Sequence, residues 1–412
     1  MAPVAPSPHA RGRGAPGPRL LQDRDRLEVS VVLPCLNEAP TVGECVRQAK
    51  AWLEDARVDG EVIVVDNGSA DGSIEIARSE GARVFVERRR GKGWAVARGI
   101  AESSGEIIVL ADSDGTYDLA HLSPLVEPLR AGVDMVAGNR LKGAMEPGSM
   151  PWLHRRVGNP LFSWLIGAIT RQPFGDCLSG LRAFRRDAWE RMSPRATGFE
   201  LESEICLRAG RKRLRIAEVP VPYAARRAQS KLRALAHGWQ IARFIVLDSA
   251  DLIFFAPAVF ALALGIIALG VGALATEGVD VGSSRWQPVF AGGILIPGAT
   301  ALMTLGLAAK WLAWRRGIGE PGWLVAALTG SAPVFEVFLF GGIGILLGGL
   351  VLDGFLLFRW STDKPPPLPL GLGAIAQAMV VTGLNLMVAA LLLGVLRASS
   401  SEQGHPATGD DG

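Results

Sequence analysis

Four long apolar segments, at about 252–275, 289–309, 334–358 and 371–396, constrain this chain more than any other feature. Each reaches the roughly 20 residues that a helix needs to cross a bilayer. Backbone polar groups in lipid must be satisfied within the segment, so this part of the chain is expected to be all-α. The positive mean hydropathy of +0.26 is therefore local, confined to the second part of the molecule. Glu336 and Asp353 fall within or at the edge of the third segment, where a carboxyl is costly enough to suggest a role, although Asp353 also suits a plain helix end. Lys310, Arg315 and Arg316 follow the second segment, whereas the first-to-second loop has only Arg285 beside Glu277 and Asp280. The third-to-fourth loop, with Arg359, Asp363 and Lys364, is less decisive. The bias puts both termini in the cytoplasm.

The rest of the chain reads differently. Residues 1–27 are rich in Pro, Ala, Gly and Arg without an apolar core, and are expected to be a disordered tail rather than a signal peptide. From Glu28 strands and helices alternate. Val29–Leu33, Glu61–Val65, Arg83–Val86 and Ile107–Ala111 read as strands, with a helix from about Thr41 and another capped by Asp71 and closed by Gly81. This alternation predicts an α/β, doubly wound, mostly parallel sheet. Trp152–Thr170 mixes a basic start with apolar residues and fits an interfacial helix and a core helix equally. Leu232–Ser249 repeats that theme. The expected organisation is a sheet domain over 28–230, a juxtamembrane amphipathic helix over 231–250, a four-helix transmembrane domain over 251–397 and a disordered tail over 398–412. Cys35, Cys45, Cys177 and Cys206 form no metal-binding spacing and suit a reducing compartment. A net charge of +3 does not nominate nucleic acid.

The candidate site lies at the end of Ile107–Ala111, where Asp112 and Asp114 flank one small residue and Gly115 turns the chain. Ligands of open α/β sheets bind outside the carboxyl ends of strands. Two carboxylates in such a turn suit a hard divalent cation, Mg2+ or Mn2+, that also meets phosphate oxygens. Gly91-Lys-Gly93 lacks the third glycine of a dinucleotide fingerprint.

Val31-Val-Leu-Pro-Cys-Leu-Asn-Glu38, Val64-Val-Asp-Asn-Gly-Ser69 and Asp112-Ser-Asp114 occur in an order and spacing that resembles family 2 glycosyltransferases with the GT-A fold. Gly138-Asn-Arg140, Asp176-Cys-Leu-Ser-Gly-Leu-Arg182, Glu218-Val-Pro-Val-Pro-Tyr223 and Ser230-Lys-Leu232 resemble the branch that makes polyprenyl-phosphate sugars, like dolichyl-phosphate mannose synthase. The resemblance covers about Val29 to Phe244. It implies interfacial helices beside the sheet, and a nucleotide-sugar donor with Pro34, Asn37, Glu38 and Asp66 lining the nucleoside pocket beside Asp112. It implies a metal on Asp112 and Asp114. The family's third ligand position holds Thr116 here.

The implied acceptor is a polyprenyl phosphate, already an anion near neutral pH and in need of positive charge more than of a base. Arg140, Arg155, Arg226, Ser230 and Lys231 match the family's acceptor-side positions, with Ala228 where a glycine is usual. Asp176, ahead of Glu202 and Glu204, is the first choice to orient the sugar or act as base, so the catalytic set is Asp114, Asp176 and Arg140. The expected activity is an inverting transfer of one hexose at the cytoplasmic face of the inner membrane. The expected partners are the donor, the lipid and the membrane, with a homo-oligomer allowed and no nucleic acid. The rivals are a processive polysaccharide synthase, disfavoured because Gln229-Ser-Lys-Leu stands where a Gln-x-x-Arg-Trp motif would be, and a non-catalytic membrane scaffold. A flippase is disfavoured by four spans with few polar residues.

Overall fold

The structure, a computed structural model, describes residues 27–226, 234–275, 277–282, 284–315, 334–362 and 370–401. The predicted tail before residue 27, Ser230, Lys231, Arg316, Asp363, Lys364 and the chain beyond 401 lie outside the described residues.

The first part is built on a seven-stranded sheet in the order β3-β2-β1-β4-β6-β5-β7. Its strands are β1 (Val29–Cys35), β2 (Gly60–Asp66), β3 (Arg83–Val86), β4 (Ile107–Leu110), β5 (Met135–Asn139), β6 (Arg182–Arg185) and β7 (Ile216–Pro220). All neighbours are parallel except β6, which runs antiparallel between β4 and β5. The expectation of a mostly parallel α/β sheet is met. Successive side chains of a strand face opposite sides of a sheet. Accordingly Val31, Leu33 and Val109 enter one core with α1 (Val42–Asp55) and α4 (Ser123–Arg130). Val32, Ile108 and Leu110 enter the other core, under α3 (Lys92–Glu102), α5 (Asn159–Thr170), α6 (Arg186–Met192), α7 (Leu201–Arg211) and α8 (Ala234–Asp248). A strand buried on both faces reads as an unbroken apolar run, which is why β4 was legible.

Asp71 does not cap α2 (Ser73–Ser79) from the expected position. Gly72, with φ 84°, is the capping residue, and Asp71 accepts hydrogen bonds from the Ser73 amide at 3.1 Å and the Ala39 amide at 2.9 Å. Gly81, at φ 84°, does close the helix. The predicted helix over 152–170 divides into a π-helical turn, His154–Gly158, and α5. Pro160, without an N–H and with a ring that crowds the preceding turn, sits at the junction. The segment has one buried and one open face: Ile166 is fully buried, while Trp152 and Trp164 are 69% and 68% exposed.

From α8 the chain passes through a π-helical turn, Asp251–Phe255, into α9 (Ala256–Leu274). A short hairpin, β8 (Val279–Val281) with β9 (Ser284–Trp286), leads to α10 (Pro288–Arg315), then α11 (Val334–Ser361) and α12 (Leu370–Ser401). Asp251–Gly272, Pro288–Arg315, Val334–Ser361 and Gly371–Val395 are long and apolar enough to cross a membrane. The four apolar helices of a membrane protein thus follow the sheet domain. α12 continues to Ser401, beyond the predicted end. Gly342, Gly349 and Gly383 let α11 and α12 approach backbone to backbone: a Cβ on Gly383 would lie 2.5 Å from the Leu346 amide nitrogen. Asn385 donates to the Pro297 carbonyl of α10 at 2.9 Å.

Candidate active site

β1, β2 and β4 end side by side, and the loops leaving them are tied together. The Ser113 hydroxyl donates to the Pro34 carbonyl at 2.8 Å, and the Thr41 hydroxyl donates to the Ser113 carbonyl at 2.8 Å. Asn37, held at φ 49°, accepts from the Ala70 amide at 2.8 Å, and its own amide donates to Ser69 Oγ at 2.8 Å. Asp66, buried at the end of β2, accepts from the Gly68 and Ser69 amides at 2.8 and 3.1 Å. Pro34, Asn37, Glu38 and Asp66 therefore share one wall of loops beside the Asp112–Asp114 turn.

Asp114 is buried, and its Oδ1 accepts the Thr116 hydroxyl at 2.6 Å and the Thr116 amide at 3.1 Å. Thr116 thus supports Asp114 from below. Burial first, and then the neighbouring Asp112 charge, raise the Asp114 carboxyl above its usual range against the pull of Thr116 and Arg226. Burial also opposes charge on Asp112, but the Lys92 ammonium, with Arg140 and Arg226 further off, holds its carboxyl below that range. Two oxygen-bearing groups, one residue apart and mutually repulsive in a partly dry turn, fit a divalent cation. Among the described residues no third carboxylate, histidine or cysteine joins them as a ready-made cage. That suits an ion completed by water and by substrate oxygens.

Two cations flank the turn. Lys92 Nζ lies 2.5 Å from Asp112 Oδ1 and 2.5 Å from Glu202 Oε1. Arg226 donates to Glu38 Oε1 at 2.6 Å, and its Nε stands 3.5 Å from Asp114 Oδ2 without hydrogen-bond geometry. Arg140 and Asp176 find each other: Nε and a terminal nitrogen of Arg140 donate to Asp176 at 2.7 and 2.8 Å, a bidentate pair almost wholly buried. The Arg140 guanidinium also lies 5.2 Å from the Tyr223 ring centroid. Glu218 braces this pair, accepting from the Gly175 amide at 2.6 Å and from Asn139 at 2.9 Å. Glu204 faces elsewhere, accepting from the Arg195 and Ala196 amides and from Arg208. Arg155 is exposed on the π-helical turn and contacts none of these carboxylates among the described residues.

Lys92 escaped notice in the sequence, and its signal was the pair of glycines around it. A Cβ on Gly91 would lie 2.2 Å from the Thr197 carbonyl oxygen, and one on Gly93 1.9 Å from that of Ala196. Only glycine lets the start of α3 press against the loop before α7, which delivers Lys92 to Glu202. Gly180 has a matching role, since its Cβ would fall 2.1 Å from Asp112 Oδ2.

The model of glycosyl transferase family 2 matches residues 30–192, from β1 through α6. The low-salt glycan biosynthesis hexosyltransferase of Haloferax volcanii is 35% identical over 89% of this chain and 89% of its own length. The dolichyl-phosphate hexose transferase of the same organism is 33% identical over 53% of this chain and 92% of its own. Mycobacterium tuberculosis glucosyl-3-phosphoglycerate synthase, solved in complex with Mn2+ and UDP-glucose, is similar over 53% of this chain and 78% of that one, with 28% identity and a TM-score of 0.42.

Proposed function

The chain belongs to glycosyl transferase family 2, and from that premise we propose that it moves a single hexose from a nucleotide-diphosphate sugar to a polyprenyl phosphate, with inversion. Its full-length likeness is to a hexosyltransferase, and a dolichyl-phosphate hexose transferase is related to its sheet domain. The observation that carries the reading is the Asp112–Asp114 turn with Arg226 at its side, a carboxylate pair for a cation next to a cation for an anion. Pro34, Asn37, Glu38 and Asp66 hold the nucleoside, and Asp112 and Asp114 hold the divalent ion. The ion, when bound, offsets charge developing on the departing diphosphate.

The acceptor phosphate needs no strong base, which accords with Asp176 being committed to Arg140. Asp176 keeps the Arg140 side chain at the floor of the site. Arg226, 21% exposed and paired with Glu38, would exchange that partner for the lipid phosphate, with Ser230 and Lys231 following it in the chain and Arg155 on the membrane-facing turn. Attack by the phosphate oxygen on the anomeric carbon, opposite the leaving diphosphate, turns an α-linked donor into a β-linked lipid product. The catalytic domain and both termini lie on the cytoplasmic side of the inner membrane. The exposed Trp152, Leu153, Leu161 and Trp164, beside Arg155 and Arg156, meet the headgroups.

The test is to incubate membranes containing the protein with a panel of radiolabelled nucleotide sugars, then extract the lipids and hydrolyse them in mild acid. Label released from the lipid fraction with one sugar is expected. Label confined to polymer would replace this reading with a processive one.

A further inference from the structure

The Lys92 ammonium is the most deeply set cation touching the carboxylate pair, at 14% side-chain exposure. It is the first residue of α3. That end of a helix carries partial positive charge, so a cation there is held against the helix dipole. What holds it is a two-sided grip: Asp112 Oδ1 and Glu202 Oε1, both at 2.5 Å. Glu202 is buried on α7, and the Arg182 guanidinium, itself fully buried, fixes that turn by donating to the Glu202 carbonyl at 3.1 Å. Glu202 is thus a rigid anchor. Asp112, 29% exposed in its turn, is the open partner. A divalent ion on Asp112 and an ammonium 2.5 Å from the same carboxylate repel strongly in this low-dielectric setting.

We propose that Lys92, held between Asp112 and Glu202, is a movable counter-cation of the metal site that is passed to Glu202 alone when the ion binds. This rests on the reading that Asp112 and Asp114 hold a divalent ion. Lys92 then competes with the ion for the Asp112 carboxylate and lowers the affinity for free metal. Glu202 decides how readily it lets go. The two residues therefore affect metal affinity with opposite sign, which general damage to the fold would not do.

The experiment measures Mn2+ binding to the full chain in detergent by the free-ion electron paramagnetic resonance signal, without substrate, for wild type, Lys92→Gln and Glu202→Gln. Lys92→Gln is expected to bind Mn2+ about tenfold more tightly, corresponding to about 1.4 kcal/mol. Glu202→Gln, which leaves Lys92 only Asp112, is expected to bind it several-fold more weakly. Unchanged or weaker binding by folded Lys92→Gln overturns the proposal alone. If Lys92→Gln does not fold, Glu202→Gln decides, and unchanged or tighter binding there overturns it. Absence of Mn2+ binding by every form, with or without nucleoside diphosphate, overturns it together with the metal assignment beneath it.

Discussion

In the sheet domain, charged groups are buried in company: Lys92 with Asp112 and Glu202, Arg140 with Asp176, Arg226 with Glu38. In the membrane helices backbones approach closely at glycine, and among the described residues the amide of Asn385 joins α12 to Pro297 and Thr300 of α10. Burying a charge is costly unless it is paired, so a cluster of paired charges at a strand end marks chemistry rather than stability. Glycine-to-glycine packing marks helix association in lipid. The contrast matches the proposed division into a reacting first half and an anchoring second half. Arg211 of α7 stands 2.7 Å from Asp248 of α8, the helix that leads into the membrane segments.

Three substitutions would break or sharpen this contrast. The largest effect is expected from Asp114→Ala, which removes one carboxylate of the metal site. Metal assistance is worth several kcal/mol, so transfer should fall at least about a hundredfold, with thermal unfolding little changed. Full activity in this variant, or in excess chelator, would remove the metal from the account. Asp176→Ala leaves Arg140 buried without its partner and should cost roughly 3–5 kcal/mol of stability. Unfolding followed by circular dichroism should show it beside Asp187→Ala, an exposed pair with Arg185 and Arg191 that should change little. Equal melting of the two would mean that the buried pair is not the anchor of the site. The smallest effect is expected from Gly383→Leu, about 1–3 kcal/mol of overpacking confined to the membrane helices. Calorimetry with UDP and GDP should find nucleotide binding as in wild type. Lost nucleotide binding would show the two halves to be one unit.

The parts legible in the sequence were those with a local signature. Buried strands gave apolar runs, and the spans gave lengths that agree with the helices within a few residues at most ends. The Asp112–Asp114 turn was legible because strand-end position alone nominates a site. Strand β6 was not, since its four residues begin and end with arginine and Arg182 is wholly buried within it. The cation pairs were not legible either. Lys92 and Glu202 are 110 residues apart, and Glu38 and Arg226 are 188 apart, so only the folded sheet brings them together. Asp176 looked like an available carboxylate because nothing local announces that Arg140 will occupy it.

Transfer to a lipid phosphate is tested most directly by the initial rate against polyprenyl phosphate concentration with donor saturating, for wild type, Arg226→Ala and Arg226→Lys. Wild type should saturate with the phosphorylated lipid and ignore the free polyprenol. Arg226→Ala should weaken acceptor use by about ten- to a hundredfold, the worth of one charge-assisted hydrogen bond. Arg226→Lys should recover only part of it, because a point charge does not reproduce the planar fork. Unchanged acceptor dependence in both variants would remove Arg226 from the acceptor site. Transfer at the wild-type rate without any phosphorylated lipid would contradict the function itself.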